Sequence, residues 1–311
     1  MTNQIRSVAI VGCGLMGTGI VEACAVAGLR TLGIKVTPGD TEPVRRRIVG
    51  SMNKAVERGK LAAEVRDRAL ELFSIGADLS AVADADLVIE SAAESLPAKQ
   101  DLLRRISALA KADAVIASNT SSLRLSTLAE AVAAPSRFVG LHFFSPANVM
   151  KLVEIGAVAS TTPAVAASVR AFCLDIGKVP VELGDHPGYV VNRLLVPYIL
   201  HAIETLEQGV ATPEGIDTAM KLGCGHPLGP LALADLIGLD VVFAMSRSLQ
   251  EELRDPRYRC PPLLRRLVMA GSLGKKTGAG FYRYGGDSPV PNPAVFDFSR
   301  PSLPAVSNPA A

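Results

Sequence analysis

Residues 7–17 read SVAIVGCGLMG, and this stretch decides the fold of the first half of the chain. Its apolar opening, Ser7–Val11, predicts a buried β-strand, and the run Gly14–Ala27 predicts the helix that follows. Between the two lies the pattern G-x-G-x-x-G. In this position, after a first strand and before a first helix, the pattern predicts a dinucleotide-binding turn.

Each glycine of this turn has its own physical reason. Gly12 permits the tight turn, Gly14 lets the backbone approach a pyrophosphate, and Gly17 allows the helix to pack closely on the strand. The N–H groups at the start of the helix then attract the negative charge of the pyrophosphate. We therefore predict that the whole turn binds the cofactor, with Leu15 and Met16 beside the glycines.

Strands and helices alternate along the first 184 residues. This alternation predicts βαβ units on a parallel sheet, that is, an α/β Rossmann-type N-terminal domain over residues 1–184. The predicted strands are Ser7–Val11, Arg30–Ile34, Leu87–Glu90 and Val115–Ser118, and the predicted helices are Gly14–Ala27, Glu42–Arg58, Leu61–Leu72 and Leu96–Leu109.

From residue 185 onward the pattern changes to helices, which predicts an all-α C-terminal domain over residues 185–286. Thr212 and Pro213 begin one helix, and we expect Gly223 to end it. The other predicted helices are Val190–Gln208, Leu239–Arg254 and Pro262–Ala270. Residues 287–311 hold six of the twenty-one prolines. We therefore predict a Pro-rich tail without regular structure, whose removal leaves activity intact.

The composition is that of a globular protein and excludes several classes. A formal net charge of +2 lacks the basic excess of a nucleic-acid binder. Glycines interrupt the longest apolar stretch, so we predict neither a membrane span nor a targeting signal, and we expect the protein in the cytoplasm. The five cysteines and four histidines are scattered, which predicts no disulfide framework and no metal site.

The residue after the second predicted strand leaves the choice of cofactor open. A site for NAD usually has Asp or Glu here to bind the ribose 2′-hydroxyl, whereas this chain has Lys35. An ammonium group attracts a 2′-phosphate, which favours NADP. The alternative is a solvated lysine in a site that still binds NAD.

Six further segments resemble those of the 3-hydroxyacyl-CoA dehydrogenases, including the bacterial 3-hydroxybutyryl-CoA dehydrogenases. The segments occur in the family's order and extend the resemblance over about residues 5–285, which makes the match specific. They are SNTSS (118–122), GLHFFSP (140–146), KLVE (151–154), DHPGYVVNR (185–193), GHPLGP (225–230) and GKKTGAGFY (274–282).

The resemblance implies a reaction of fatty acid metabolism, in which a hydride moves between a nicotinamide cofactor and a short-chain 3-hydroxyacyl-CoA. Histidine suits the base that removes the hydroxyl proton, and a carboxylate partner orients its ring. By resemblance His142 is the general base and Glu154 its partner, while Ser121 and Asn192 hold the substrate oxygen. His142 ends a predicted strand and Glu154 ends the next extended run, so we expect the two to face each other.

Other positions have binding roles that the resemblance implies. Glu94, Ser121 and the two lysines Lys99 and Lys276 match positions that contact the cofactor. An ordinary surface lysine is the alternative for each of the two. Ser145 also matches a cofactor position, but the family usually has Asn there, and the serine side chain has a shorter reach.

The predicted helix Glu42–Arg58 has a basic face. Its spacing places one serine and three basic residues on the same side, namely Arg47, Ser51, Lys54 and Arg58. This face suits the phosphates of coenzyme A, and Ser51 and Arg58 match the family's thioester-binding residues. Two alternatives stay open, a solvated charged face and a docking surface for an acidic acyl carrier protein.

We therefore expect an oxidoreductase that, by resemblance, is a homodimer assembled through its helical domain. One alternative is the same chemistry on a carrier-protein thioester, as in polyketide precursor supply. Another is a free hydroxy acid or sugar acid as the substrate. The third is a non-catalytic dinucleotide-binding structural protein, and the retained set of Ser121, His142, Glu154 and Asn192 argues against it.

Overall fold

The computed structural model describes residues 4–286 and 288–295. They divide into two compact units, one that ends at Tyr189 and one that begins at Val190. The domain limits given above, with a second domain from residue 185, stay a prediction. Of the predicted tail, residues 287 and 296–311 lie outside the described residues.

The first unit is built on one sheet of eight strands. The strands are β1 (Ser7–Val11), β2 (Arg30–Ile34), β3 (Phe73–Gly76), β4 (Leu87–Glu90), β5 (Val115–Ser118), β6 (Phe138–Phe143), β7 (Leu152–Ala157) and β8 (Val179–Gly184). Their order in the sheet is β3-β2-β1-β4-β5-β6-β7-β8. The pair β6–β7 is antiparallel and the other neighbours are parallel. The predicted Rossmann-type domain with βαβ units on a parallel sheet is confirmed, and the antiparallel pair β6–β7 is a feature that the sequence did not predict.

Helices connect these strands. They are α1 (Leu15–Val26), α2 (Glu42–Glu57), α3 (Ala63–Leu72), α4 (Leu96–Leu109), α5 (Leu125–Ala129) and α6 (Pro163–Asp175). The first four agree with their predicted bounds to within two residues. The last two were not predicted, although α6 has a clear start: the Thr162 side chain accepts a hydrogen bond from the Val165 N–H, and Pro163 follows as the first helical residue.

Apolar side chains fill both faces of the sheet. Ile20 of α1 and Ile48 of α2 belong to one buried cluster, and Leu103 and Ile106 of α4 belong to another. Strands covered on both faces have continuous apolar sequences instead of alternating ones. This explains why β4, β5 and β6 are buried at every residue.

The second unit is mainly helical. It contains α7 (Val191–Glu207), α8 (Pro213–Cys224), α9 (Pro230–Ile237), α10 (Leu239–Leu253), α11 (Pro262–Met269) and the short strands β9 (Tyr282–Arg283) and β10 (Val290–Pro291). The glycine that caps the end of α8 is Gly225, which has φ +69°. The prediction that Gly223 ends this helix is therefore wrong by two residues. The prediction of no regular structure after residue 286 is also wrong, because β10 pairs with β9.

Candidate active site

The turn after β1 leaves open space above the start of α1. Gly12 has φ +110°, and a Cβ there would lie 2.5 Å from the carbonyl oxygen of Ser91. A Cβ on Gly17 would collide with the carbonyl oxygen of Gly12, because α1 packs closely on β1. A Cβ on Gly14 would have no atom of the described residues within 4 Å. Only at Gly14 does the turn face free space.

The start of α1 is suited to an anion. Its first turn contains no acidic side chain, and in the described part of the chain no side chain caps the N–H groups after Gly14. Such N–H groups, together with the helix dipole, attract negative charge. Leu15 is 69% exposed and Met16 is half-buried. The residues of this turn therefore fit the pyrophosphate of a dinucleotide.

Lys35 follows β2, and the backbone of the next loop holds its ammonium group. Nζ donates to the carbonyl oxygens of Thr37 at 2.6 Å, Pro38 at 2.5 Å and Gly39 at 3.4 Å. The side chain thus folds over its own loop instead of standing free in solvent. A positive charge lies where a site for NAD usually has a carboxylate, but three carbonyl dipoles already compensate it.

Lys99 is buried in an ion pair that the sequence did not reveal. Its Nζ lies 2.8 and 2.9 Å from the two carboxylate oxygens of Glu90. The side chains of Lys99 and Glu90 are 1% and 0% exposed. Glu90 also accepts hydrogen bonds from Ser118 Oγ at 2.6 Å and from the Ala92 N–H at 2.7 Å. The alternative of an ordinary surface lysine is therefore wrong for Lys99.

Glu94 organises the loop after β5. Its Oε1 accepts hydrogen bonds from Thr120 Oγ1 at 2.7 Å, the Ser121 N–H at 2.8 Å and the Ser122 N–H at 3.1 Å. Burial raises the pKa of Glu94, but the charge of Lys99 and these hydrogen bonds outweigh it, so the pKa is lowered. Glu94 is thus an ionised carboxylate that fixes the position of Ser121, whose Oγ lies 3.2 Å from the same oxygen.

His142 and Glu154 form a buried pair on adjacent strands. They are opposite each other in the antiparallel ladder of β6 and β7, and 2.8 Å separates His142 Nδ1 from Glu154 Oε2. Their exposed fractions are 6% and 1%. The structure brings the two side chains together as predicted, but not because each of them lies at the end of an extended segment. Glu154 is the third residue of β7, not the end of a strand, and the reversed strand direction brings it to His142.

The pairing decides which nitrogen of His142 can accept a proton. A carboxylate offers only acceptor oxygens, so the hydrogen bond requires the proton on Nδ1. The other ring nitrogen, Nε2, then carries the free lone pair. This is the arrangement of a general base oriented by a carboxylate.

Asn119 was not predicted as a site residue, yet it fixes the end of β6. Its Oδ1 accepts a hydrogen bond from the N–H of Phe143, next to His142, at 2.9 Å. Its Nδ2 donates to Ser91 Oγ at 3.2 Å. One side chain thus joins the ends of three strands. Its place directly after β5 in the SNTSS segment was the available signal.

The loop between β6 and β7 is held by side chains from α1, from α2 and from the residue that precedes β8. Lys178, which immediately precedes β8, donates from Nζ to the carbonyl oxygens of Ala147 at 2.6 Å and Met150 at 2.8 Å. Asn148 donates from Nδ2 to Glu22 Oε1 at 2.9 Å and to Ser51 Oγ at 3.3 Å. Sequence reasoning missed these contacts, because they join residues far apart in the chain.

The residues with predicted binding roles on this loop and on α2 differ in exposure. Ser145 is exposed at the start of the loop, and Ser51 is half-buried against Asn148. Arg58, at the end of α2, is exposed, as are Arg47 and Lys54. The basic face predicted for this helix is therefore open to solvent.

Two predicted site residues belong to the second unit. Asn192 is the second residue of α7 and is 7% exposed. Lys276 lies in a turn after α11, and its Nζ is 2.5 and 2.7 Å from the carboxylate oxygens of Asp240 in α10. The lysine is thus neutralised locally by an exposed ion pair.

Two further findings concern residues 4–286 and 288–295. They contain no group of three or more His, Cys, Asp or Glu side chains that could hold a metal ion. None of their helices combines the length and the apolar character that crossing a membrane requires.

Two family patterns cover nearly all of the described chain. The pattern described as "3-hydroxyacyl-CoA dehydrogenase, NAD binding domain" matches residues 7–186, and the one described as "3-hydroxyacyl-CoA dehydrogenase, C-terminal domain" matches residues 188–284. The chain belongs to the 3-hydroxyacyl-CoA dehydrogenase family. The resemblance of the six segments is thereby confirmed, together with the NAD-binding domain that it implied.

Individual members of the family align along almost their whole length. The 3-hydroxybutyryl-CoA dehydrogenase of Mycobacterium tuberculosis is 43% identical over 286 residues, which cover 91% of this chain and 100% of the relative. The mitochondrial hydroxyacyl-coenzyme A dehydrogenase of Rattus norvegicus is 39% identical, with 90% and 91% coverage. The crystal structure of (S)-3-hydroxybutyryl-CoA dehydrogenase from Ralstonia eutropha is 40% identical, covers 91% of this chain and 100% of its own, and has a TM-score of 0.86.

Proposed function

We propose that this protein is an NAD-dependent dehydrogenase that interconverts a short-chain 3-hydroxyacyl-CoA and the corresponding 3-ketoacyl-CoA. The observation that carries the proposal is the buried pair of His142 and Glu154, with 2.8 Å between Nδ1 and Oε2. Family members that align with this chain along almost their whole length act, by their names, on 3-hydroxybutyryl-CoA.

His142 is the general base in this mechanism. Its Nε2 takes the proton of the 3-hydroxyl group, and the imidazolium that forms is stabilised by the carboxylate of Glu154. In the reverse direction, the imidazolium returns the proton to the ketone oxygen. Ser121 and Asn192 hold that oxygen by hydrogen bonds, and Glu94 keeps Ser121 in place.

The cofactor occupies the turn at Gly12, Gly14 and Gly17 in this proposal, because open space and uncapped N–H groups meet there. When bound there, NAD would supply the acceptor for the hydride of C3, and NADH the hydride donor in the reverse direction. Lys99, Ser145 and Lys276 keep their proposed roles in cofactor binding. For Lys99, that role is indirect, since its ammonium group is enclosed by Glu90 and Glu94.

Coenzyme A is the proposed carrier because the names of the family members specify it, and the exposed basic face of α2 suits its phosphates. Ser51 and Arg58 are the proposed contacts, and Arg47 and Lys54 supply further positive charge for its phosphates. Assembly into a homodimer through the helical unit is also part of the proposal, and it rests on the family relationship. All five cysteines lie among the described residues and are free thiols, which supports a reducing compartment such as the cytoplasm.

The test is the initial rate of cofactor oxidation with acetoacetyl-CoA, measured in parallel with NADH and NADPH. We expect turnover with NADH by the wild-type protein. His142→Gln is the matched variant, because glutamine keeps the side-chain volume but cannot take up a proton. Loss of the base should lower kcat by about 10²–10⁴-fold and leave the Kd for NADH unchanged.

Each other outcome changes the proposal in a specific way. Turnover of an acyl-carrier-protein thioester in place of the CoA ester would replace the carrier. Turnover of a free hydroxy acid alone would replace the substrate class. NADH binding without turnover of any of these compounds would point to a non-catalytic dinucleotide-binding protein, and normal turnover by His142→Gln would refute the mechanism.

A further inference from the structure

Tyr189, the last residue of the first unit, stacks on His142. The ring centroids are 4.9 Å apart and the ring planes are inclined by 25°. Tyr189 is only 2% exposed. A second ring, that of Phe144, also contacts the imidazole, with centroids 4.5 Å apart and planes inclined by 54°. The plane of the imidazole is therefore set by aromatic neighbours as well as by Glu154.

The ring of Tyr189 lies in a slot made by two glycines. Gly140 and Gly156 are direct partners in the ladder of β6 and β7, two residues from His142 and Glu154 along each strand. Residues two apart on a strand share a face, so both pairs face the same side of the sheet. A Cβ on Gly140 would collide with the tyrosine hydroxyl and with both methyl groups of Leu125, and a Cβ on Gly156 would collide with Leu125 Cδ1 and lie 3.1 Å from Tyr189 Cε1. Tyr189 and Leu125 therefore share the slot.

The local backbone of Tyr189 is unusual for its residue type. Gly188 has φ +79° and Tyr189 itself has φ +50°, in the left-handed region that bulky residues rarely adopt. Such strain persists where surrounding structure imposes it, and it is concentrated at functional sites. Here the turn directs the tyrosine ring onto His142.

The hydroxyl of Tyr189 does not explain why the residue is there. Among the described residues the buried hydroxyl oxygen has no hydrogen-bond partner. Burial raises the pKa of Tyr189, and the charges of Glu94, Glu154 and Asp185 raise it further, so the hydroxyl stays protonated. An unpaired buried hydroxyl is unfavourable. Its ring, in contrast, packs in the buried apolar cluster that contains Leu125 and stacks on the imidazole of His142.

We propose that Tyr189 is a positioning residue for the reaction; this inference rests on the proposed role of His142 as general base. The ring holds the imidazole plane in the orientation at which Nδ1 meets Glu154 and Nε2 is free. Its electron-rich face also stabilises the imidazolium that forms when His142 takes the substrate proton. The slot at Gly140 and Gly156 is the feature of the sheet that makes this stacking possible.

The test compares two substitutions in the full-length protein, Tyr189→Leu, which removes the ring, and Tyr189→Phe, which keeps it. We expect Tyr189→Leu to lower kcat about tenfold with less than a twofold change in KM for acetoacetyl-CoA and for NADH. The variant Tyr189→Phe, which keeps the ring, should retain a kcat within about twofold of the wild-type value. Phe138→Leu is the control. Phe138 is a different buried aromatic residue, at the start of β6, and the loss of its ring should leave kcat unchanged.

A direct measurement of the stacking does not depend on turnover. The ring protons of His142 in NMR spectra, assigned by their loss in His142→Gln, should show a ring-current shift from Tyr189. We expect that shift in the wild type and in Tyr189→Phe, and its loss in Tyr189→Leu. A wild type without turnover would contradict the proposed function, whereas this shift would still report on the stacking.

Three results would overturn the inference: an unchanged His142 shift in Tyr189→Leu, an unchanged kcat in that variant, or an equal loss of kcat in Phe138→Leu. If Tyr189→Leu does not fold, Gly140→Ala takes its place. The added methyl group should displace the tyrosine ring as well as Leu125 and lower kcat. In a Leu125→Ala background, where the leucine methyl groups no longer obstruct the added Cβ, Tyr189→Phe should recover part of that loss because the colliding hydroxyl is gone. Failure to recover any activity in that background would likewise refute the role of the slot.

Discussion

Lys99 and Glu90 form an ion pair that is closed to solvent, with 2.8 Å between Nζ and Oε1 and side chains that are 1% and 0% exposed. Lys99→Met would leave the Glu90 carboxylate buried without its counter-charge. We expect the free energy of unfolding in urea to fall by about 3–5 kcal/mol. Arg247→Met is the control, because its pair with Glu251 is exposed on both sides. It should cost less than about 1 kcal/mol, and equal losses in the two variants would contradict the prediction.

Lys35 provides a test of cofactor choice. Its ammonium group is occupied by three loop carbonyl groups, so we expect the wild type to prefer NADH. Lys35→Asp places a carboxylate where it can bind a ribose 2′-hydroxyl and repel a 2′-phosphate. The ratio of kcat/KM for NADH over NADPH should rise about tenfold or more, which corresponds to about 1.4 kcal/mol. Lys35→Met separates the loss of the ammonium group from the gain of the carboxylate. A wild-type preference for NADPH would mean that Lys35 contacts the phosphate.

Asp86 should make the stability depend on acid pH. Partial burial raises its pKa, but the Lys111 ammonium and the N–H groups of Arg6 and Ser7 outweigh this and lower the pKa to about 2. A carboxyl group whose pKa is lower in the folded state stabilises the fold above its unfolded pKa of about 4. This contribution decreases as the pH falls toward 2.

The variant Asp86→Asn keeps an oxygen for the two N–H groups and loses the charge. At pH 7 we expect its free energy of unfolding to be about 1–2 kcal/mol below that of the wild type, after allowance for solvent screening. In urea titrations from pH 7 to pH 3 the difference should shrink below about pH 4. A difference that stays constant over this range would exclude the ionised carboxylate as its cause.

Asn292 connects the described part of the predicted tail to the helical unit. It is 4% exposed, its Nδ2 donates to the Gly280 carbonyl oxygen at 2.8 Å, and its N–H donates to the Phe281 carbonyl oxygen at 2.9 Å. Asn292→Ala leaves the Gly280 carbonyl without this partner and should lower the free energy of unfolding by about 1–3 kcal/mol. Ser288→Ala, at an exposed position nearby, is the control. No change in the thermal unfolding of Asn292→Ala relative to Ser288→Ala would contradict this prediction.

The elements that the sequence predicted are those whose information is local. The strand β1, the glycine turn and α1 follow from an apolar run, a spacing and a helix start within twenty residues. In contrast, β7 and β8 and the reversal between β6 and β7 depend on which strands pair, and a short apolar run does not specify its neighbour. Three helices were missed, α5, α6 and α9, which are five, thirteen and eight residues long.

The same distinction between local and long-range information applies to the residues of the candidate site. His142 and Glu154 were identified through the family segments, whereas the contacts that hold them were not. Asn119 binds the N–H of Phe143, next to His142, and Tyr189 stacks on His142 itself. Both contacts span more than twenty residues of sequence, and only the folded chain brings these residues together. For Lys99, predicted as a cofactor contact, an ordinary surface lysine stayed open as the alternative, because nothing in its segment indicates that a carboxylate nine residues earlier is buried beside it.

The antiparallel pairing of β6 with β7 has a consequence for how this chain can vary. His142 and Glu154 meet because the ladder pairs position 142 with position 154, and a shift of one residue in this pairing would turn Glu154 to the opposite face of the sheet. The same shift would move the paired glycines out of register. An insertion or deletion of one residue within either strand would therefore separate the histidine from the glutamate, whereas the length of the loop that connects the strands does not set their register. The spacing of the pair is fixed by the ladder between the strands and not by the number of residues that join them.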